Sequence, residues 1–199
     1  MVLITDRIPL FDFYLFVQEY LYADSNVPKV YIISPLVKSL NYYVKASGLF
    51  TSIFGETLPD QLRTEHLVEM LLRKNASSDI RIVTRLPTER KYERLFDVIN
   101  ELEFLISLVE RGVRVYFFEH HKKYLLTNFG VVTGSANYTP SGRYLTPEST
   151  FFFDAGDPTY KECQEDIDAL IKKADFKGEK TMAFLQENLR EFKERVGKA

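Results

Sequence analysis

Four residues in the middle of the chain have types and spacing suited to chemistry on a phosphate. His120 and Lys122 stand two apart in Glu-His-His-Lys-Lys, and Ser135 and Asn137 stand two apart directly after Gly134. On an extended chain, residues two apart project from one face. An imidazole titrates near pH 6.5, so it can serve as an uncharged nucleophile around neutrality. An ammonium, a hydroxyl and a carboxamide can then hold anionic oxygens as charge builds on them. Gly134 allows backbone to come close to a ligand. Together these residues are what cleavage of a phosphodiester needs without a metal. A lone histidine or a Gly-Ser turn says little; the joint spacing carries the reading.

The elements around this segment follow from hydrophobic period. Apolar, β-branched runs at 28–34, 79–84 and 113–118 read as buried strands. Between them Thr64–Lys74 and Lys91–Glu110 have helical spacing, the second with an apolar stripe through Leu95, Val98, Leu102, Leu105 and Val109. Gly112 is placed to end that helix before the third strand. Strand–helix alternation predicts parallel strands joined by helical crossovers. After them, 123–127, 131–134 and 149–154 are short strands on short connections, which predicts an antiparallel or mixed extension. Pro9–Tyr22, Thr159–Lys173 and Glu179–Val196 read as amphipathic helices. The expectation is one α/β domain over residues 1–199, a mixed β-sheet flanked by helices on both faces with helices at its C-terminal end.

Composition narrows the function classes. The 199 residues are 45% hydrophobic and carry 16 Phe and 12 Tyr, enough for a core without disulfide or metal staples. A single cysteine, Cys163, excludes an internal disulfide and a Cys-based zinc site, and fits a reducing, cytoplasmic setting. Net charge is −2, so polyanion affinity has to be local. No run approaches the ~18 apolar residues of a membrane span. Asp6, Asp12, Gln18 and Glu19 interrupt the aromatic N-terminal run and argue against a signal peptide. The basic stretch 85–94 follows the end of a strand, where open α/β sheets bind ligands. It reads equally as a phosphate-contacting loop or as a solvated lead into a helix.

The segment resembles the phospholipase D superfamily, whose members carry H-x-K, four residues, an Asp, six residues, then G-[SG]-x-N. His120, Lys122, Gly134, Ser135 and Asn137 fall on that pattern without a gap, whereas a His121 register leaves the glycine one residue short. The Asp position is Thr127 here. The resemblance implies a phospholipase D-like fold, no cofactor or metal, and catalysis by His120, Lys122, Ser135 and Asn137. It also implies an orienting carboxylate downstream, which Glu148 matches. Gly134, Lys123 and Arg143 are candidates for contacting substrate.

Family enzymes gather two H-x-K motifs around one phosphate: one histidine becomes a phosphohistidine, the other protonates the leaving oxygen. The chain's three histidines are His66, His120 and His121. His66 lacks the lysine and reads as a helix-surface residue. His121 should face away from His120, in a core or supporting role. The second imidazole is therefore expected from another copy, in a homodimer with the site on its two-fold axis. Small single-motif members are mostly nucleases, so DNA or RNA is the leading substrate. A lipid phosphodiesterase and a catalytically decayed nucleic-acid-binding dimer are the alternatives.

Overall fold

A computed structural model describes residues 2–4, 8–43, 61–87, 95–145, 149–174 and 179–197. In chain order the elements are β1 (Val2–Ile4), α1 (Ile8–Leu21), β2 (Lys29–Ile33), β3 (Asn41–Tyr43) and β4 (Gln61–Arg63). Then come α2 (Thr64–Lys74), β5 (Asp79–Thr84), α3 (Leu95–Glu110), β6 (Arg114–Phe117), β7 (Tyr124–Thr127) and β8 (Gly130–Gly134). A π-helical turn (Ser141–Leu145), β9 (Thr150–Asp154), α4 (Pro158–Lys173) and α5 (Glu179–Val196) follow. Seven strands form one mixed sheet in the order β1-β9-β8-β7-β2-β5-β6, and β3 and β4 pair separately.

The three buried runs become β2, β5 and β6, all parallel, as their crossover spacing predicts. The extension β7-β8-β9 is antiparallel, and β7 joins the sheet antiparallel to β2, with Ile33 opposite Tyr124. Alternation along the strands divides the core. Val30, Ile32, Ile82, Val115, Leu125 and Val132 face the layer built by α1, α2, α3 and α5. Tyr31, Ile33, Tyr116, Leu126 and Val131 face α4, through Cys163, Ile167 and Leu170. Helices thus cover both faces of the mixed sheet, the expected architecture. At 3.6 residues per turn, Val98, Leu102, Leu105 and Leu108 of α3 all fall on its buried side. Gly112 ends that helix with φ of +91°, a left-handed conformation that only glycine adopts without steric cost. Residues 88–94 of the predicted basic loop lie outside the described residues. The strand β1 and the β3–β4 ribbon were not expected.

Two buried carboxylates on α1 tie the first helix to the rest. Glu19 accepts from the Lys29 amide at 3.0 Å and from Asn128 Nδ2 at 3.0 Å, binding α1 to the start of β2 and the β7–β8 turn. Asp12 is fully buried, 3.1 Å from the guanidinium of Arg143. Burial pushes its carboxyl up to about 6, against the opposing pull of Arg143. The guanidinium also lies over the Tyr138 ring, 5.4 Å from its centroid, and the Tyr138 hydroxyl meets that of Tyr42 at 2.6 Å.

This position corrects the expectation for Arg143. With its side chain 3% exposed, it is an internal ion-pair partner and not a cation offered to substrate. A basic residue a few positions past Asn137 reads from sequence as surface charge; the acid that buries it is on a helix far away in the chain. Removing one partner of a buried pair strands the other charge. Arg143→Met should therefore cost about 3–5 kcal/mol at pH 8. Asp12 would then bind a proton more readily folded than unfolded, so the deficit should shrink as pH falls to 5. Urea denaturation of both proteins at the two pH values measures this.

Candidate active site

His120 and Asn137 lie where the parallel strands end. Because β6 is the last strand on its edge and β7 lies beyond β5 and β2, the link 118–123 must cross the carboxyl ends of both strands. It is held down as it crosses: the Phe118 amide donates to Thr84 O at 2.9 Å, and Arg85 Nε donates to His120 O at 3.1 Å. The His120 ring drops into the sheet end. It is buried, with Nε2 3.3 Å from Val83 O and Nδ1 without a side-chain or backbone partner at hydrogen-bond geometry among the described residues.

Val83 O also accepts from the Ser34 amide at 3.0 Å, just past β2. The Ser34 hydroxyl accepts from the Tyr138 amide at 3.0 Å and donates to Leu36 O at 2.6 Å. It also approaches Asn137 Oδ1 at 3.5 Å. A continuous set of contacts therefore runs from the His120 ring through β5 and Ser34 to Asn137. Ser34 is fully buried and was not singled out from sequence; a lone Ser after a strand gives no signal there.

Gly134 and Ser135 close the other side. The Ser135 amide donates to Ser149 O at 3.0 Å, and the Ser149 amide donates to the Ser135 hydroxyl at 3.1 Å. This locks the end of β8 to the segment entering β9. A Cβ at Gly134 would stand 2.1 Å from Ser149 O, and its φ is +154°, so close backbone approach demands the glycine. Gly142 likewise packs on the Asn137 backbone, where a Cβ would meet its carbonyl oxygen at 2.6 Å. Glu148, the expected orienting carboxylate, lies outside the described residues.

Lys122 is directed to α4. Its ammonium sits 2.8 Å from Asp166, which also accepts from the Tyr124 hydroxyl at 2.7 Å. Burial raises the Asp166 carboxyl, but the hydrogen bonds from Lys122 and Tyr124 outweigh it and leave the group below the usual range. Lys122 and Tyr124 do share the α4 side, as their spacing implies. Lys123 Nζ donates to His121 O at 2.9 Å. His121 is exposed, with its ring nitrogens 3.0 and 3.2 Å from Arg85 Nη2, so of the core or supporting role expected for it the core alternative is corrected. The link is not strand, and an irregular crossing exposes the residue that pleating would have sent inward. His66 is exposed on α2, as expected.

Burial lowers the pKa of His120 from the ordinary 6.5, the Val83 carbonyl contact opposes the shift, and the Arg85 charge adds to it. The neutral ring, the form with a lone pair to give, therefore persists to more acid pH than a free imidazole would allow. Arg85, also 3.0 Å from Glu119, is a brace for the whole crossing that spacing alone did not reveal.

Thr127, at the motif's Asp position, is fully buried at the β7–β8 turn. Its hydroxyl accepts from the Phe129 amide at 3.2 Å and contacts Gly130 O at 3.4 Å. Short polar side chains, Asp included, commonly make this local bond. The substitution therefore falls on a turn and not on the strand-end cluster. Among the described residues no three His, Cys, Asp or Glu side chains are grouped to hold a metal ion.

Two measurements follow. In a proton–nitrogen NMR titration of the three histidines, His120 should titrate below 6.5; a midpoint above it would contradict the burial argument. Thr127→Val should lose about 1 kcal/mol in urea denaturation, the contribution of one intramolecular hydrogen bond, and Thr127→Asp should keep the turn.

No protein-family model and no curated protein matches the sequence. Solved structures match its fold. NucT from Helicobacter pylori superposes with a TM-score of 0.50 at 7% identity, over 87% of this chain and 96% of that one. Nuc from Salmonella typhimurium, a phospholipase D family member, gives 0.49 at 13% identity over 81% and 89%. Phosphatidylserine synthase from Haemophilus influenzae gives 0.42 at 12% identity, over 85% of this chain but 40% of that larger one. The likeness to NucT is one of fold: a mixed α/β sheet, here parallel β2-β5-β6 continued by antiparallel β7-β8-β9, between helical layers.

Proposed function

We propose that the protein is a metal-independent phosphodiesterase acting on nucleic acid, with His120 as its nucleophile and a second copy completing the site. The observation that carries this reading is the convergence of His120 and Asn137 on the carboxyl ends of β2 and β5. They belong to one H-x-K…G-S-x-N spacing, in a fold that binds ligands at such ends.

In this reading His120 attacks phosphorus, a P–N bond forms as a P–O bond breaks, and the partner's His120 protonates the departing oxygen. The partner's imidazole then takes a proton from water, whose oxygen displaces the P–N bond and frees His120. Glu148 would hold a proton on Nδ1, leaving the Nε2 lone pair for attack. To attack, the ring would leave the tautomer whose Nε2–H donates to Val83 O at 3.3 Å and carry its one ring proton on Nδ1 instead. Lys122 would exchange Asp166 for a phosphate oxygen, and Ser135 and Asn137 would donate to the others. Developing negative charge is thus met by one ammonium and neutral donors. Lys123, beside Lys122, is a candidate for a neighbouring phosphate. Two copies are needed in this reading because the other H-x-K, His121 and Lys123, overlaps the first and cannot supply a second imidazole to the opposite side of the same phosphate.

The test is digestion of DNA and RNA oligomers in excess EDTA, with oligomer size measured alongside. Wild type should cut as a dimer, and His120→Ala should lose at least about 10³-fold while keeping its circular dichroism. A ten-fold loss would refute the assigned role, because a single acid–base group contributes on the order of 10²–10⁴-fold. Activity that EDTA removes would refute the metal-independent mechanism.

A further inference from the structure

Beside the strand-end cluster lies a groove of about 650 Å³ between α4 and the end of the sheet. It falls within the ~300–1,000 Å³ typical of small-molecule sites. Lys122 and Gly134 are among its lining residues, so it adjoins the candidate active site. Its sheet side carries Phe151 and Phe153, alternate residues of β9 with ring centroids 6.4 Å apart. Its α4 side carries Glu162 and Asp166. Aromatic faces accept the π-face of any base, and carboxylates accept hydrogen bonds from exocyclic amino groups. The same carboxylates repel phosphate. A backbone would therefore keep to Lys122 and Gly134 while something flat, neutral and rich in N–H donors entered the groove.

We propose that this groove is a subsite for an unpaired nucleobase next to the scissile phosphodiester, and that the protein consequently acts on single strands. The base stacks on Phe151 and Phe153 and donates its amino group to Glu162, which favours cytosine, adenine and guanine over thymine and uracil. A paired base cannot enter, since its amino group is engaged and its faces are stacked. This rests on the phosphodiesterase reading above, so the experiment separates the two.

The full chain is assayed in EDTA on single-stranded oligo-dC, oligo-dT, an oligomer of abasic sites and a duplex. Wild type should cut oligo-dC on the order of ten-fold or more faster than the abasic oligomer, the contribution of one stacked base. Ala169→Phe, which fills the groove from the exposed side of α4, should bring oligo-dC to the abasic rate without changing that rate. Glu162→Gln should narrow the gap between oligo-dC and oligo-dT. Equal cutting of all four substrates, or an oligo-dC rate indifferent to Ala169→Phe, overturns the subsite while leaving the phosphodiesterase reading standing. If none is cut, the nuclease reading has failed. Fluorescence anisotropy of labelled oligo-dC then decides the groove alone: binding that Ala169→Phe weakens supports it, and unchanged or absent binding overturns it. Two further results also overturn it. Dissociation of the dimer by Ala169→Phe makes the groove an interface between copies, and choline release from phosphatidylcholine vesicles that Ala169→Phe blocks makes it a headgroup site.

Discussion

Everything at the candidate site depends on a chain-crossing requirement. The strand β6 ends on one edge of the sheet, and the next strand must pair with β2, two positions inward. A parallel strand would need a helical crossover; an antiparallel one needs only a short link across the strand ends. That link is 118–123, and its backbone polar groups must be satisfied where it leaves the sheet. Thr84 O and the Arg85 side chain supply partners, and His120 is driven into the space over Val83. The position of the imidazole is thus a consequence of sheet order.

The same requirement accounts for the polar character of the sheet end. Parallel strands finish with carbonyls that have no strand to pair with, and buried polar groups left alone are costly. Val83 O accepts from both Ser34 N and the His120 ring, and the Ser34 hydroxyl ties the loop carrying Asn137 to β2. The groups available to a phosphate are therefore held by the hydrogen bonds that end the strands. Gly134 and Gly142 allow the two flanking loops to approach within distances that a Cβ would forbid.

Charge is distributed unevenly around this cluster. Lys122 is held by Asp166, Arg85 by Glu119, and Arg143 is withdrawn into the interior by Asp12. A net charge of −2 is thus compatible with a site for an anion, because two cations remain at the strand ends in pairs that a phosphate could exchange. Burial favours the neutral form of the His120 imidazole beside these cations, an effect of environment and not of residue type.

Much of this was legible in the sequence. Strand and helix periods are local properties of side-chain order, so β2, β5, β6, the antiparallel extension and the helices could be read from residues alone. The motif spacing could be read for the same reason: His120, Lys122, Gly134, Ser135 and Asn137 are fixed in relation to one another by chain length. What required the tertiary structure was every choice depending on residues distant in the chain. The burial of Arg143 depends on Asp12 of α1, the exposure of His121 on an irregular crossing beside Arg85, and the present partner of Lys122 on α4. Ser34 gains a role only because β2 ends beside β5 and β7. A sequence fixes what each residue can donate, accept or bury; which partner it meets is decided by which strands the fold sets side by side.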